Sequence, residues 1–184
     1  MLAFENMDTI LYWGFIQPVV QVIFLFIIMV SLITVFLGAP IVFSDKNTIK
    51  KITKLAGNVK GKKVVDLGSG DGRLVIAFAK LGAQAVGYEI NPLLYLISFL
   101  KIRIFGLSRN ADVRLASFWN KDLQEYNIVV IFGIGYIMSS LAKKLKKELK
   151  NGSIITVSYK LPGWKVRKSL GGAYLYSVSS NRLS

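Results

Sequence analysis

The sequence predicts an α/β chain: a doubly wound, mostly parallel sheet closed by a C-terminal β-hairpin and preceded by one N-terminal transmembrane helix. Three observations predict it. Short apolar runs of strand type alternate with stretches of helical spacing from residue 48 to residue 159. A glycine-rich turn, Gly68-Ser-Gly-Asp-Gly72, joins the first apolar run to a helix. Residues 19–37 carry no charged side chain at all.

In chain order, residues 1–8 are polar, and the chain turns apolar from Ile10. The uncharged 19–37 stretch, whose polar side chains are Gln21, Ser31 and Thr34, spans about 28 Å as a helix and matches the hydrocarbon thickness of a bilayer. A cleaved signal peptide would start basic and have a shorter apolar core; this start carries Glu5 and Asp8. Gly38 and Pro40 are expected to end the span. Lys46, Lys50, Lys51 and Lys54 follow it, so the positive-inside rule places residues 41 onward in the cytoplasm. The expected division is therefore an N-terminal segment, 1–40, and a domain, 41–184, close to the lipid surface.

Within the domain, residues 48–56 have helical spacing with Gly57 as C-cap. Residues 64–67 form the first strand and 73–81 the next helix. Residues 83–88 form a second strand ending in Glu89, and Asn91-Pro92 opens a helix as N-cap and first position. That helix, 93–105, is polar only at Ser98, Lys101 and Arg103. It is expected to be buried on two sides, with contact to lipid as the alternative. Residues 111–116 and 127–132 read as strands three and four. Residues 137–150 form an amphipathic helix with Met138, Leu141, Leu145 and Leu149 inside and Lys143, Lys144, Lys146, Lys147 and Lys150 outside. This lysine-rich face reads as solvated, or alternatively as a docking face for anionic lipid or an acidic partner. Residues 153–159 make strand five, and 164–170 and 173–179 pair across Gly171-Gly172. Five parallel strands with a closing hairpin form a seven-strand, Rossmann-like layout, which binds ligands beyond the C-terminal strand ends.

The glycine turn points to a nucleotide-like cofactor, because the helix after it starts with free N–H groups aimed at whatever fills the turn. Its spacing is Gly-x-Gly-x-Gly, whereas dinucleotide sites use Gly-x-Gly-x-x-Gly, and no Gly-Lys-Ser/Thr follows as in a phosphate-cradling loop. Asp66 and Asp71 would repel a pyrophosphate but attract the ammonium and sulfonium of S-adenosyl-L-methionine. Glu89, 21 residues beyond Gly68, is placed to accept hydrogen bonds from two ribose hydroxyls. The candidate cofactor site is Asp66, Gly68, Ser69, Gly70, Asp71 and Gly72, with Glu89, Ile90 and Asn91 at the end of the second strand.

Composition narrows the chemistry. There is no histidine and no cysteine, which removes imidazole bases, thiol nucleophiles, disulfides and nearly every zinc site, so no metal is expected. Methyl transfer tolerates this, since its electrophile arrives activated on the cofactor. All 24 Lys and Arg lie beyond residue 40, together with 8 of the 10 acidic residues, giving that region 24 − 8 = +16. A polyanionic neighbour follows, either an anionic membrane surface or nucleic acid; the anchor argues against nucleic acid.

Asp66-Leu-Gly-Ser-Gly-Asp-Gly-Arg73, Gly87-Tyr-Glu-Ile-Asn-Pro92, Val129-Val-Ile-Phe-Gly133, Lys143-Lys-Leu-Lys-Lys-Glu-Leu149 and Ser158-Tyr-Lys-Leu-Pro-Gly-Trp164 resemble the small seven-β-strand protein-lysine methyltransferases. Among them, the chain is most similar to the membrane-anchored enzymes of the ATP synthase c-subunit and adenine nucleotide translocase type and their prokaryotic relatives. The resemblance implies that Asp66, Gly68, Gly70 and Glu89 contact S-adenosylmethionine, with Phe118 and Trp119 near the adenine. It implies a lysine of a membrane protein as substrate. For the acceptor amine, Phe132, Tyr159 and Trp164 offer aromatic faces, and the hydroxyls of Tyr136 and Tyr159, carbonyls of the 132–135 loop or water could take its proton. A lipid-amine N-methyltransferase, an RNA methyltransferase and a non-catalytic membrane-bound scaffold are the competing readings.

Overall fold

A computed structural model describes residues 12–37 and 45–179. The chain divides into two compact units, residues 1–40 and 41–184, which are taken separately. Expectations that fall on residues 1–8, on Gly38 and Pro40 and on the final residues lie outside the described residues.

In the first unit, a π-helical turn, Tyr12–Ile16, leads into α1, Gln17–Leu37. Pro18 follows the π-helical turn directly, and its missing N–H interrupts the hydrogen-bond ladder between that turn and α1. Among the described residues, Tyr12–Val30 is helical, apolar and long enough to cross a membrane; the helical backbone runs on to Leu37, so it includes the expected 19–37 stretch and begins ahead of it.

The second unit is a seven-stranded sheet in the order β3-β2-β1-β4-β5-β7-β6. Its strands are β1 Lys63–Leu67, β2 Gln84–Glu89, β3 Ala111–Leu115, β4 Ile128–Phe132, β5 Ser153–Val157, β6 Lys168–Leu170 and β7 Ala173–Ser177. The first five are parallel; β7 runs antiparallel between β5 and β6. The order reverses beside β1, which pairs with β2 on one side and β4 on the other. Crossovers to the left place α3, Arg73–Lys80, and α4, Pro92–Ile104, on one face. The crossover from β4 to β5 places α5, Met138–Glu148, on the other.

Each face has its own core. Helix α2, Lys46–Ala56, contributes Ile52 and Leu55 to the first core, alongside Leu74, Val75 and Phe78 of α3. Asp45 caps α2, its Oδ1 accepting from the Thr48 N–H at 2.7 Å. The second core takes Met138, Leu141 and Leu145 of α5 against Val65, Leu67, Val129 and Ile131. Strands β1, β4 and β5 are central and covered on both sides, which is why they read as continuous apolar runs.

Two expectations fail here. Helix α4 buries only Leu94, Ser98 and Ile102; Leu93, Leu96, Leu100 and Ile104 are exposed. Nothing covers its outer side in this unit among the described residues. Lys144, assigned to the solvated face of α5, is instead tied down. Its ammonium donates to the carbonyls of Trp119 and Lys121 at 3.1 and 2.8 Å and pairs with Glu148, whose other oxygen accepts from the Leu123 N–H. Helix α5 thus clamps the loop after β3, a contact that i, i+3 and i+4 patterns do not reveal. Replacing Lys144 with Ala strands two carbonyls and a carboxylate and should cost about 2 kcal/mol in denaturant unfolding. Lys143→Ala, on the exposed flank, should change stability by less than about 0.5 kcal/mol.

Candidate active site

The C-terminal ends of β1, β2 and β4 meet at the order reversal, where ligands of doubly wound sheets bind. After Leu67 the chain folds back over β2: the N–H groups of Gly68 and Ser69 both donate to the Tyr88 carbonyl, at 2.9 and 3.0 Å. Gly68 and Gly70 hold φ angles of +81° and +56°, and a Cβ on either would meet no atom within 4 Å. The space before them is open. Gly72 (φ +77°) is the N-cap of α3, and a Cβ there would land on Ser98 Oγ of α4. Only glycine lets loop and helix approach this closely.

Glu89 fastens this loop. Its Oε2 accepts from the Gly70 N–H at 2.7 Å, and Oε1 accepts from the N–H groups of Ile90 and Asn91 at 2.9 and 2.8 Å. A carboxylate offers about four acceptor positions. Three are taken by the backbone, leaving one on Oε2 rather than the free pair that recognition of two hydroxyls requires. Asn91 caps α4, its Oδ1 accepting from Leu93 and Leu94, while the Ile90 side chain remains 40% exposed at the strand end.

Asp71 behaves differently from the sequence expectation. Both its oxygens are engaged: Oδ1 with Arg73 Nε at 2.9 Å, Oδ2 with Arg73 Nη2 at 2.8 Å and Lys101 Nζ at 2.6 Å. Burial would raise its pKa, but the hydrogen bonds and charges of Arg73 and Lys101 outweigh it and hold the group at about 2. Its charge is neutralised within the protein, and the case against a pyrophosphate rests on Asp66 and Glu89.

Asp66 is the opposite case. It is buried, level with Gly87 and Val130 in the neighbouring strands, and no hydrogen bond reaches its carboxylate among the described residues. Burial, reinforced by the Glu89 charge, pushes it up to about 7. Such an orphaned carboxylate calls for a cation. With open space before Gly68 and Gly70 beside it, the residues fit a ligand that carries an ammonium and a ribose. S-adenosylmethionine has both; a dinucleotide's pyrophosphate would face the uncompensated Asp66 carboxylate with Glu89 beside it.

Phe118 and Trp119 form a 3-10 turn after β3, with ring centroids 4.8 Å apart, and Ser117 Oγ accepts from the Trp119 N–H. Beyond β4, Tyr159 lies over the 133–135 loop. Cβ positions at Gly133 and Gly135 would fall 3.3 Å from its Cβ and Cε1. Phe132, Gly133, Gly135 and Tyr159 are thus brought together. Tyr136 follows on the Gly135–Ile137 turn, 69% exposed. Trp164 does not join them: it is buried in the second core, edge-to-face with Tyr176 at 6.3 Å. Core packing accounts for it, and it leaves the candidate catalytic set. Sequence reasoning missed Ser158, whose φ of +69° is the one positive value at a non-glycine among the described residues. With the Ser158 N–H on the Gly172 carbonyl and Thr156 Oγ1 on the Tyr159 carbonyl, this strained turn aims Tyr159. Nothing in the Ser158-Tyr-Lys string signals it.

Residues 66–168, more than half of the chain, match the family described as the ANTKMT methyltransferase domain. The chain belongs to that family. This ANTKMT-type domain is similar to the ATP synthase c-subunit lysine N-methyltransferase of Rattus norvegicus, with 37% identity over 126 residues, 68% of this chain and 58% of the relative. It is also similar to the adenine nucleotide translocase lysine N-methyltransferase of Mus musculus, with 31% identity covering 70% of this chain and 57% of the relative. The chain therefore spans somewhat over half the length of these curated relatives. Among solved structures, an RNA methyltransferase from Salinibacter ruber in complex with S-adenosyl-L-homocysteine superposes with a TM-score of 0.69. Its identity is 25%, covering 74% of this chain and 94% of that one. The ANTKMT-type domain thus has the S-adenosylmethionine-dependent methyltransferase fold, with its glycine loop in the matched segment.

The buried Asp66 has a consequence for stability. Between pH 4 and 7 the unfolded chain has lost the Asp66 proton while the folded domain keeps it, so stability falls as pH rises. Above about 7 both are ionised and the penalty is complete, on the order of 4 kcal/mol. Asp66→Asn should therefore melt higher than the parent in the absence of cofactor, by a margin that grows from pH 4 to 7 and then holds. Melting curves of the full chain in detergent test this; a pH-independent difference rejects it.

Proposed function

We propose that this chain is a membrane-tethered, S-adenosylmethionine-dependent methyltransferase that methylates the side-chain amine of a lysine in a membrane or membrane-associated protein. The observation that carries the cofactor assignment is Asp66, a buried carboxylate without a partner beside the open glycine turn. The lysine assignment is supported by the relatives, which are named as lysine N-methyltransferases. The tether is α1, and the basic residues after it favour the cytoplasmic side for residues 41–184, the catalytic domain, against an anionic membrane surface. Neither a metal nor nucleic acid takes part in this reading.

When bound, the cofactor supplies a methyl group on a positively charged sulfur. Asp66 holds its ammonium, the remaining acceptor position of Glu89 takes a ribose hydroxyl, and Gly68, Ser69, Gly70 and Gly72 line the turn. Ile90, Phe118 and Trp119 provide apolar faces for the base. Asp71 acts from behind, keeping the turn in place through Arg73 and Lys101. At the β4 end, Phe132 and Tyr159 receive the acceptor lysine. Their rings strip water from the amine, which lowers its pKa and favours the neutral nucleophile. The carbonyls of the 133–135 loop and the hydroxyl of Tyr159, with Tyr136 at the rim, accept hydrogen bonds from the amine and orient it, and its proton leaves to water, since the chain has no histidine.

Labelled-methyl transfer by the full chain onto fractionated membranes tests the reading. Label should enter a protein band and be recovered as methyl-lysine. Asp66→Ala and Glu89→Ala should abolish cofactor binding, and Tyr159→Ala should lower kcat by roughly 100-fold at nearly unchanged cofactor affinity. Cofactor affinity should rise with pH toward 7 as Asp66 ionises, then fall as the ligand's α-amino group, of ordinary pKa about 7.7–8.0, loses its proton. Label in phospholipid would replace the lysine reading with the lipid-amine one; a folded chain that binds no cofactor would leave a scaffold.

A further inference from the structure

The outer face of α4 is apolar where a solvated helix would be polar. Leu93, Leu96, Leu100 and Ile104 recur at three- and four-residue steps, so they form one stripe along the helix. All four are exposed, Ile104 to 79%, and Phe105 extends the stripe beyond the helix end. Cations border it. Lys80 Nζ lies 4.4 Å from the Phe105 ring centroid, Arg103 Cζ lies 4.3 Å from that of Phe99, and Arg109 is exposed just beyond. Residues 73–88 and 90–111 contain no acidic side chain.

We infer that this face of α4 lies on an anionic phospholipid bilayer, with the leucine stripe in the headgroup–acyl boundary and Lys80, Arg103 and Arg109 among the lipid phosphates. The inference rests on the membrane-tethered reading and names the surface that reading leaves open. An apolar stripe bordered by cations is the chemistry of a helix lying in the interface plane. The lysine-rich face of α5, on the opposite side of the sheet, has charge but no exposed large apolar side chain and offers only screened attraction. A second copy of the chain is a poorer occupant, because a two-fold contact through α4 would set Lys80, Arg103 and Arg109 of both copies together with no carboxylate between them. Leu93 stands two residues after the Asn91 cap, in the first turn of α4, so the stripe starts at the open end of the sheet, where Glu89 and the glycine turn lie.

The chain has no cysteine, so single cysteines introduced as Leu96→Cys or Lys147→Cys can each be labelled uniquely. Both full-length variants are reconstituted with an environment-sensitive fluorophore into phosphatidylcholine–phosphatidylglycerol vesicles carrying a nitroxide on the acyl chain. The chain should float with the vesicles. The label at Leu96→Cys should shift to the blue and be quenched several-fold, that at Lys147→Cys should stay aqueous, and the quenching should fall in phosphatidylcholine alone or at high salt. Flotation with an aqueous label at Leu96→Cys overturns the inference and leaves the tether standing. A label at Leu96→Cys already shielded before lipid is added assigns the face to another polypeptide and also overturns it. Failure to float overturns the tether and the inference together.

Discussion

The Glu89 carboxylate is the tie on which the site depends. At the end of β2 it gathers the N–H groups of Gly70, Ile90 and Asn91, and so fixes the glycine turn, the strand end and the start of α4 to one another. Charge-assisted hydrogen bonds of this kind are short and directional. They let a loop of three glycines in left-handed conformations hold a single shape despite the conformational entropy such residues carry. The parallel pairing of β1 with β2 then brings Asp66 to the same corner.

Two carboxylates of the motif, five residues apart, serve opposite ends. Asp71 has found its cations within the protein; Asp66 has found none among the described residues and is buried without compensation. Sequence position alone treats them alike. What separates them is direction: a strand residue aimed into a covered sheet against a turn residue within reach of α3 and α4.

Alternating strands and helices made the mostly parallel seven-strand sheet and the glycine turn legible, because fully covered parallel strands are continuously apolar and a strand–glycine–helix junction has few alternatives. The Asn91-Pro92 cap and the buried stripe of α5 were legible for the same local reason. Features that depend on a distant partner were not. Lys144 reads as one solvated lysine among five until the carbonyls of Trp119 and Lys121 are seen opposite it. Trp164 reads as a site aromatic until Tyr176 closes on it. The periodicity of α4 reports apolar side chains on both flanks but cannot say whether protein covers both.

Helix α4 touches the cofactor turn at two points, the Lys101–Asp71 ion pair and the tight approach of Ser98 to Gly72. Anything that settles α4 into one position therefore narrows the motions open to the turn, and filling the turn restrains the helix in return. Such a pair of sites obeys thermodynamic reciprocity: the factor by which one ligand strengthens the surface contact equals the factor by which the surface strengthens the ligand. A ligand in the turn and a surface under the helix would then answer to one another through two side-chain contacts.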